Sequence, residues 1–180
     1  MVCRVADSQS GLQWRRWLGY LLAVGVWVGI AWGWMPAIAP LEGTAQAADY
    51  NREALLERDF SNQDLTDSSF TKANLRQSNF SHSNLQGVSF FGANLERVNL
   101  EGADLRNATL DSARLVDANL TNAVLEGAFA FNAQFDRAMI DGADFTDVLL
   151  RDDVQQKLCK SATGTNPTTG RQTAESLECF

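Results

Sequence analysis

Apolar residues recur every five positions along most of this chain. Phe60, Leu65, Phe70, Leu75, Phe80, Leu85, Phe90 and Leu95 open the series, and Leu100, Leu105, Leu110, Leu115, Leu120 and Leu125 continue it. Ala130, Phe135, Ile140, Phe145 and Leu150 close it, so the beat runs through nineteen blocks without an insertion or deletion. A helix repeats its faces every ~3.6 residues and a strand every second residue, so a beat of five would carry these side chains around either element. The chain must instead turn once per block, and a fixed repeat of this length outranks local propensity in reading the fold.

The remaining positions of each block have their own character. Two residues before the centre stands a small side chain, as in Ala73, Ala93, Ala103, Ala113 and Ala123, with Ser68, Ser78, Ser83, Val88 and Val98 as variants. One large and one small residue per block fill a narrow interior at native density. The residue just before the centre is mostly polar, as in Asp59, Asn74, Asn79, Asn94 and Asn119, and is expected to face outward. Two residues after the centre come Gly87, Gly92, Gly102, Gly127 and Gly142, or Asn62, Asn107, Asn122 and Asn132. These residue types tolerate the positive φ required at the third position of a type II turn, which predicts a corner in every block.

Stretches such as Ala73-Asn74-Leu75-Arg76-Gln77 and Ala103-Asp104-Leu105-Arg106-Asn107 resemble the pentapeptide-repeat family, and the resemblance covers roughly Arg58 to Asp152. It implies an all-β solenoid, a right-handed quadrilateral β-helix in which four blocks make one coil and positions twenty apart stack. Sorted that way, Phe60 lies over Phe80 and Phe70 over Phe90, while Leu65, Leu85, Leu105 and Leu125 form a third column and Leu75, Leu95 and Leu115 a fourth. At strand spacing of roughly 4.8 Å, stacked rings gain about 0.5–1.5 kcal/mol per pair.

The ends of the chain differ from this middle. Arg15 and Arg16 precede an uncharged run from Leu18 to Trp34, and Ala45-Gln46-Ala47 has the small-residue spacing of a signal-peptidase site. Residues 1–47 therefore read as an export signal, with a retained membrane anchor as the alternative. All five tryptophans lie inside it. Residues 48–57 read as a short N-terminal helical cap, with Asn51 as N-cap and Ala54, Leu55 and Leu56 as its apolar contacts. Residues 58–152 form the repeat domain. Residues 153–180 read as a C-terminal helical cap, with a helix from Asp152 to Lys160, a Gly/Thr/Pro loop, and a last helix near Thr173 to Glu178. Short helical caps are thus expected at both ends, because open solenoid ends need covering.

Loss of the leader removes Cys3 and leaves Cys159 and Cys179, an even pair in an exported chain, which predicts a disulfide stapling the C-terminal cap. Leu158-Cys159, the loop Gly164 to Arg171, and Ser176-Leu177-Glu178-Cys179 resemble the C-terminal region of exported pentapeptide-repeat proteins from the thylakoid lumen of cyanobacteria and chloroplasts. That resemblance implies the lumen as the compartment, with the periplasm as alternative.

Composition narrows the chemistry. The net charge is −7, and the leader carries Arg4, Arg15 and Arg16 against Asp7 and Glu42, so the remainder is more acidic still. An acidic solenoid does not attract nucleic-acid phosphates, and any membrane contact is expected only through an uncleaved leader. His82 is the only histidine and falls at a corner position between Ser81 and Ser83, where a solvated residue is expected. No catalytic set, cofactor motif or metal-ligand spacing emerges. One face carries apolar residues at outward positions, namely Phe91, Phe129, Phe131 and Leu149. The C-terminal helices are expected to fold over the last three, leaving Phe91 as the more accessible contact for an unknown protein partner.

The sequence thus reads as a non-enzymatic structural or protein-interaction module, with reduction of the cap disulfide as a device that would uncover the aromatic face. The family resemblance also implies an alternative, an acidic DNA mimic that binds a DNA-processing protein such as gyrase.

Overall fold

A computed structural model describes residues 47–179; the export-signal reading, residues 1–47, lies outside the described residues except for Ala47. From Ala48 onward the chain winds in coils of twenty residues. Parallel bridges join each outward residue to the one twenty further on, and one ladder runs from Asp49 through Ser69, Ser89, Thr109 and Phe129 to Leu149. Three other ladders run from Ala54 to Gln134, Asp59 to Met139, and Asp64 to Asp144. We name the four faces after their central residues: the Phe60, Leu65, Phe70 and Leu75 faces.

Four backbone hydrogen bonds per block hold the coil, one of them from the outward residue back to the preceding coil, as in Asn94 N–H to the Ala73 carbonyl at 2.9 Å. The central residue and the one two positions on donate toward the following coil, as in Leu95 N–H to the Arg114 carbonyl at 2.9 Å and Arg97 N–H to the Val116 carbonyl at 3.0 Å. The corner closes locally, with Ala73 N–H donating to the Phe70 carbonyl at 3.0 Å. Since the N–H of the corner residue must aim along the axis, that residue takes positive φ even where it carries a side chain, as at Lys72 (57°) and Arg97 (57°). Asn132 is an exception to the expected corner: it is not among the positive-φ residues, and its N–H donates to the Asp111 carboxylate at 3.0 Å. At Gly102 the glycine serves space as well as φ, because a Cβ there would meet the His82 Nδ1 at 2.5 Å.

The interior is filled by the beat. Phe70, Phe80, Phe90 and Leu75 through Leu125 are fully enclosed. The predicted ring columns are present: Phe60 stacks on Phe80 at 4.8 Å and Phe70 on Phe90 at 5.2 Å. Across the interior the two columns meet edge to face, Phe70 with Phe80 at 5.5 Å and Phe80 with Phe90 at 5.7 Å, which makes one herringbone of the whole N-terminal half. In the last coil the aromatic pair moves to the other diagonal, with Phe135 edge-on to Phe145 at 6.2 Å. Ala130 is small where that pair occupies the cross-section.

Residues 48–57 correct one expectation. They form no helix but the first coil of the solenoid, with Leu55 N–H on the Asn74 carbonyl at 2.8 Å and positive φ at Arg52 and Glu57. Tyr50 and Leu55 continue the beat of five backward, and Tyr50 stacks on Phe70 at 4.7 Å. Bonding and ring stacking to the second coil outweigh the modest helix propensity of Ala54, Leu55 and Leu56.

After Leu150 the chain leaves the beat. Helix α1 (Asp152–Leu158) turns Val154 and Leu158 into the core cluster at the C-terminal end. A short antiparallel bridge, Thr165 with Gln172, precedes α2 (Thr173–Ser176). Cys159 and Cys179 are joined by a disulfide, with their Cα atoms 5.5 Å apart. Among the described residues no helix is long and apolar enough to cross a membrane.

Candidate functional site

The Phe70 face has two halves of opposite character. Toward the N-terminus it carries Asn51, Ser69, Thr71 and Ser89, linked by side-chain hydrogen bonds: Ser69 to Asn51 at 2.6 Å, and Thr71 with Ser89 at 3.0 Å. Toward the C-terminus it carries Phe129, Phe131 and Leu149, which are 49%, 55% and 55% exposed. Phe129 and Leu149 are ladder neighbours and Phe131 follows on the other side of the buried Ala130, which places the three on one stretch of this face. Phe91 is 39% exposed and lies two coils away, beyond Thr109 and Asp111.

The expectation that the C-terminal helices cover Phe129, Phe131 and Leu149 is therefore wrong. The segment after α1 packs instead along the neighbouring Leu65 face and its preceding corner. The buried Asn166 amide donates to the carbonyls of Asn122 and Ala123, each at 3.1 Å, and of Gly142 at 2.8 Å. Its Oδ1 accepts from Thr168 N–H at 2.9 Å and Thr169 N–H at 3.0 Å, so a single side chain ties the loop to two coils. Phe145 N–H, whose partner in a further coil does not exist, donates to the Ser176 hydroxyl at 3.0 Å. The same path buries Val124 and Asp144 on the Leu65 face. The aromatic face is thus already open with the disulfide formed, and reduction is not what uncovers it.

Sequence reading missed this strap. Its one available signal was Val124, an apolar residue at an outward position where its ladder neighbours are Asp64, Asn84, Asp104 and Asp144. Arg171 pairs with Glu126 at 3.3 Å and with Asp144 at 3.2 Å. Burial pushes the Asp144 carboxyl up, but hydrogen bonds from the Thr146 hydroxyl and N–H and from Thr169, with the Arg171 charge, outweigh it and hold the group below the usual carboxylate range. A carboxyl whose pKa is depressed by folding contributes stability above its unfolded value, near ~3.9, and loses it as pH falls through the folded value. Amide-exchange protection of residues 164–177 should accordingly hold at neutral pH and decline once pH drops below about 4. In Asp144→Asn that decline should be absent or clearly smaller.

His82 stands exposed at its corner over Gly102. Among the described residues no group of three or more His, Cys, Asp or Glu is arranged to hold a metal ion. The Phe60 face carries instead a ladder of amides, Asn79 to Asp59 at 3.1 Å, Asn99 to Asn79 at 3.1 Å and Asn119 to Asn99 at 3.0 Å, that ends at the exposed Met139.

Comparison with known proteins decides the family. A family model described as a pentapeptide repeat region matches residues 45–120, and a second, pentapeptide repeats in eight copies, matches 113–152. The crystal structure of a pentapeptide repeat protein from the thylakoid lumen of Arabidopsis thaliana is 46% identical, covering 72% of this chain and 90% of that one with a TM-score of 0.71. The chain is a pentapeptide-repeat protein. A second Arabidopsis relative, the chloroplastic thylakoid lumenal 15 kDa protein 1, is 60% identical over 40 residues, which span 22% of this chain and only 18% of that relative. With both relatives lumenal, this pentapeptide-repeat protein is assigned to the thylakoid lumen. Pentapeptide-repeat proteins are in general structural or interaction modules, in keeping with the composition read above.

Proposed function

We propose that this chain is a non-enzymatic protein-interaction module that offers the C-terminal half of its Phe70 face to a protein partner. The observation that carries this reading is the exposed cluster of Phe129, Phe131 and Leu149 on a rigid support. Three large apolar side chains held by neighbouring coils lose little entropy on binding, and contiguous exposed apolar surface of this kind marks contact sites. The acidic surroundings favour a partner whose apolar contact is rimmed by basic residues. Phe91, set apart by a polar coil, is at most a peripheral contact, which reverses the ranking that sequence suggested.

The remaining parts of the reading follow from the fold and the family. The right-handed sense of the coil is carried over from the family, and α1 with the strap acts as the C-terminal cap. The Cys159–Cys179 bond serves as a structural staple for that cap. The gyrase-mimic alternative is set aside because a lumenal protein is separated from gyrase.

Crosslinking in intact lumen, with the wild type compared to a Phe129→Ser/Phe131→Ser variant, tests the proposal. The adduct formed by the wild type should fall at least fivefold in the variant, an effect of about 1 kcal/mol, and Phe91→Ser should change it less. An unchanged adduct in the double variant would overturn this reading, and an adduct made only of two copies of the chain would replace the partner with self-association.

A further inference from the structure

The first coil departs from the repeat at one position of its blocks. Two residues before the centre, the coils that follow carry a small side chain packed inside: Ala73 and Ala93 on the Leu75 face, Ser78 and Val98 on the Phe60 face, and Ser83 and Ala103 on the Leu65 face, none more than 2% exposed. The first coil places Glu53, Arg58 and Gln63 there, and all three stand exposed. The interior below them is filled, which leaves these long side chains only the N-terminal end to occupy. The second coil is adapted to them. At this position N–H ordinarily donates to the carbonyl three residues back, as Val98 does to Leu95 at 3.2 Å. Arg58 N–H goes instead to the Ser78 hydroxyl at 3.2 Å, and that hydroxyl donates on to the Leu55 carbonyl at 2.6 Å. The Ser68 hydroxyl likewise accepts Ala48 N–H at 3.1 Å. One coil later the same two columns hold Val88 and Val98, so these hydroxyls belong to the end of the solenoid and not to its repeat.

The backbone at this end is that of a sheet edge. In the second coil Asn74, Asn79 and Asn84 donate their N–H groups back to the carbonyls of Glu53, Arg58 and Gln63 at 2.8, 2.8 and 2.9 Å. Their counterparts in the first coil are Ala54, Asp59 and Asp64. Among the described residues neither the N–H nor the carbonyl of these three has a backbone partner, and all three residues are exposed. An open edge of this kind is a template for another chain unless something blunts it. The C-terminal end carries α1 and the segment after it, whereas among the described residues the N-terminal end carries no comparable element.

We propose that the N-terminal end is a latent surface for a second copy of this chain, held shut by Glu53, Arg58 and Gln63. A second copy is the occupant whose outline fits. Its first coil has the same four sides and the same unpaired groups, and a two-fold axis lying across the end sets the two edges against each other. Pairing them requires a separation of roughly 4.8 Å between coils. A Glu or Arg side chain cannot stay hydrated in that gap, so closing it strips water from both charges, while in the later coils Ala or Ser at the same position leaves the gap clear. The chain therefore stays single and presents its aromatic face one copy at a time. This inference does not rest on the aromatic cluster, which lies at the other end of the solenoid.

Sedimentation equilibrium and amide exchange on the disulfide-bonded chain from Ala48 to Phe180, which holds every coil and the whole cap, provide the test. The wild type should sediment as one copy up to about 100 μM, whereas Glu53→Ala/Arg58→Ser/Gln63→Ser should pair with a Kd at or below about 10 μM. In that variant exchange of the Ala54, Asp59 and Asp64 amides should slow by about tenfold or more from dilute to concentrated samples. Glu53→Lys/Gln63→Lys keeps long charged side chains at the end and should remain single. If the triple variant loses the amide pattern of the coils, Arg58→Ser alone, which copies Ser78, decides by the same two measurements. The proposal is overturned by a folded variant that stays single, by a wild type that pairs with these amides protected, or by pairing that disappears when Phe129→Ser/Phe131→Ser is added, since that would place the contact on the aromatic face.

Discussion

Replacing Phe80 with alanine should remove about 3–5 kcal/mol of stability, the upper part of the range for a single core substitution. Phe80 is fully enclosed and touches three other rings, stacked on Phe60 at 4.8 Å and edge-on to Phe70 and Phe90 at 5.5 and 5.7 Å. Truncation therefore removes the ring's own burial and also the partner surface of its neighbours, in a column too narrow to collapse around the gap. Phe80→Leu should cost markedly less, about 1–2 kcal/mol, because Leu100 and Leu120 fill the same column in later coils. Urea unfolding followed by circular dichroism measures both. A Phe80→Ala protein within about 1 kcal/mol of wild type, or no better resolved from wild type than Phe80→Leu, would show that the herringbone is not a unit of stability.

This contrast also shows why the fold was legible in the sequence. The interior is dictated by one rule, a large residue every fifth position, and once the family resemblance sets four blocks to a coil, Phe60, Phe70, Phe80 and Phe90 fall into their columns. The same arithmetic reaches back to Leu55 and Tyr50, yet Ala54-Leu55-Leu56 is also a respectable helical triplet. Local propensity and the repeat disagreed there, and the ladder bonds and ring stacking of a neighbouring coil settled the matter in favour of the repeat. Asn132 shows the converse. Its residue type suits a left-handed corner, but the carboxylate of Asp111 captures its N–H instead.

The candidate surface was legible only as a set of residues. That Phe129, Phe131 and Leu149 face outward follows from their phase in the beat. Whether something covers them depends on the path of a segment that has no beat. The direction of that segment is set by Asn166, an unremarkable loop asparagine in sequence, and by Arg171 reaching Glu126 and Asp144. Contacts between positions more than forty residues apart, such as Asn166 with Asn122, leave no periodic trace.

Asn166 should for that reason be the most sensitive position outside the core. Asn166→Ala leaves the carbonyls of Asn122 and Gly142 and the N–H groups of Thr168 and Thr169 without their partner, while the Ala123 carbonyl keeps the Asp144 N–H at 2.9 Å. With about 1–3 kcal/mol at stake for each buried group left unsatisfied, and water able to reach some of them, a loss of about 3 kcal/mol is expected for attachment of the strap. Removing the disulfide through Cys159→Ser/Cys179→Ser should cost a similar amount, about 3 kcal/mol, by freeing a loop with a sequence separation of 20. Because stability in a solenoid is passed between neighbouring coils, both losses should appear as local opening. Amide exchange of residues 142–177 should accelerate by about two orders of magnitude, whereas Leu85 to Leu105 keep their protection. The two changes act on one segment, so their combined cost should fall short of the sum, since a strap already released by one has little left to lose to the other. Full additivity would mean that Asn166 and the disulfide hold separate parts of the chain. Loss of protection throughout the coils would mean that the C-terminal segment supports the entire solenoid and not its last two turns alone.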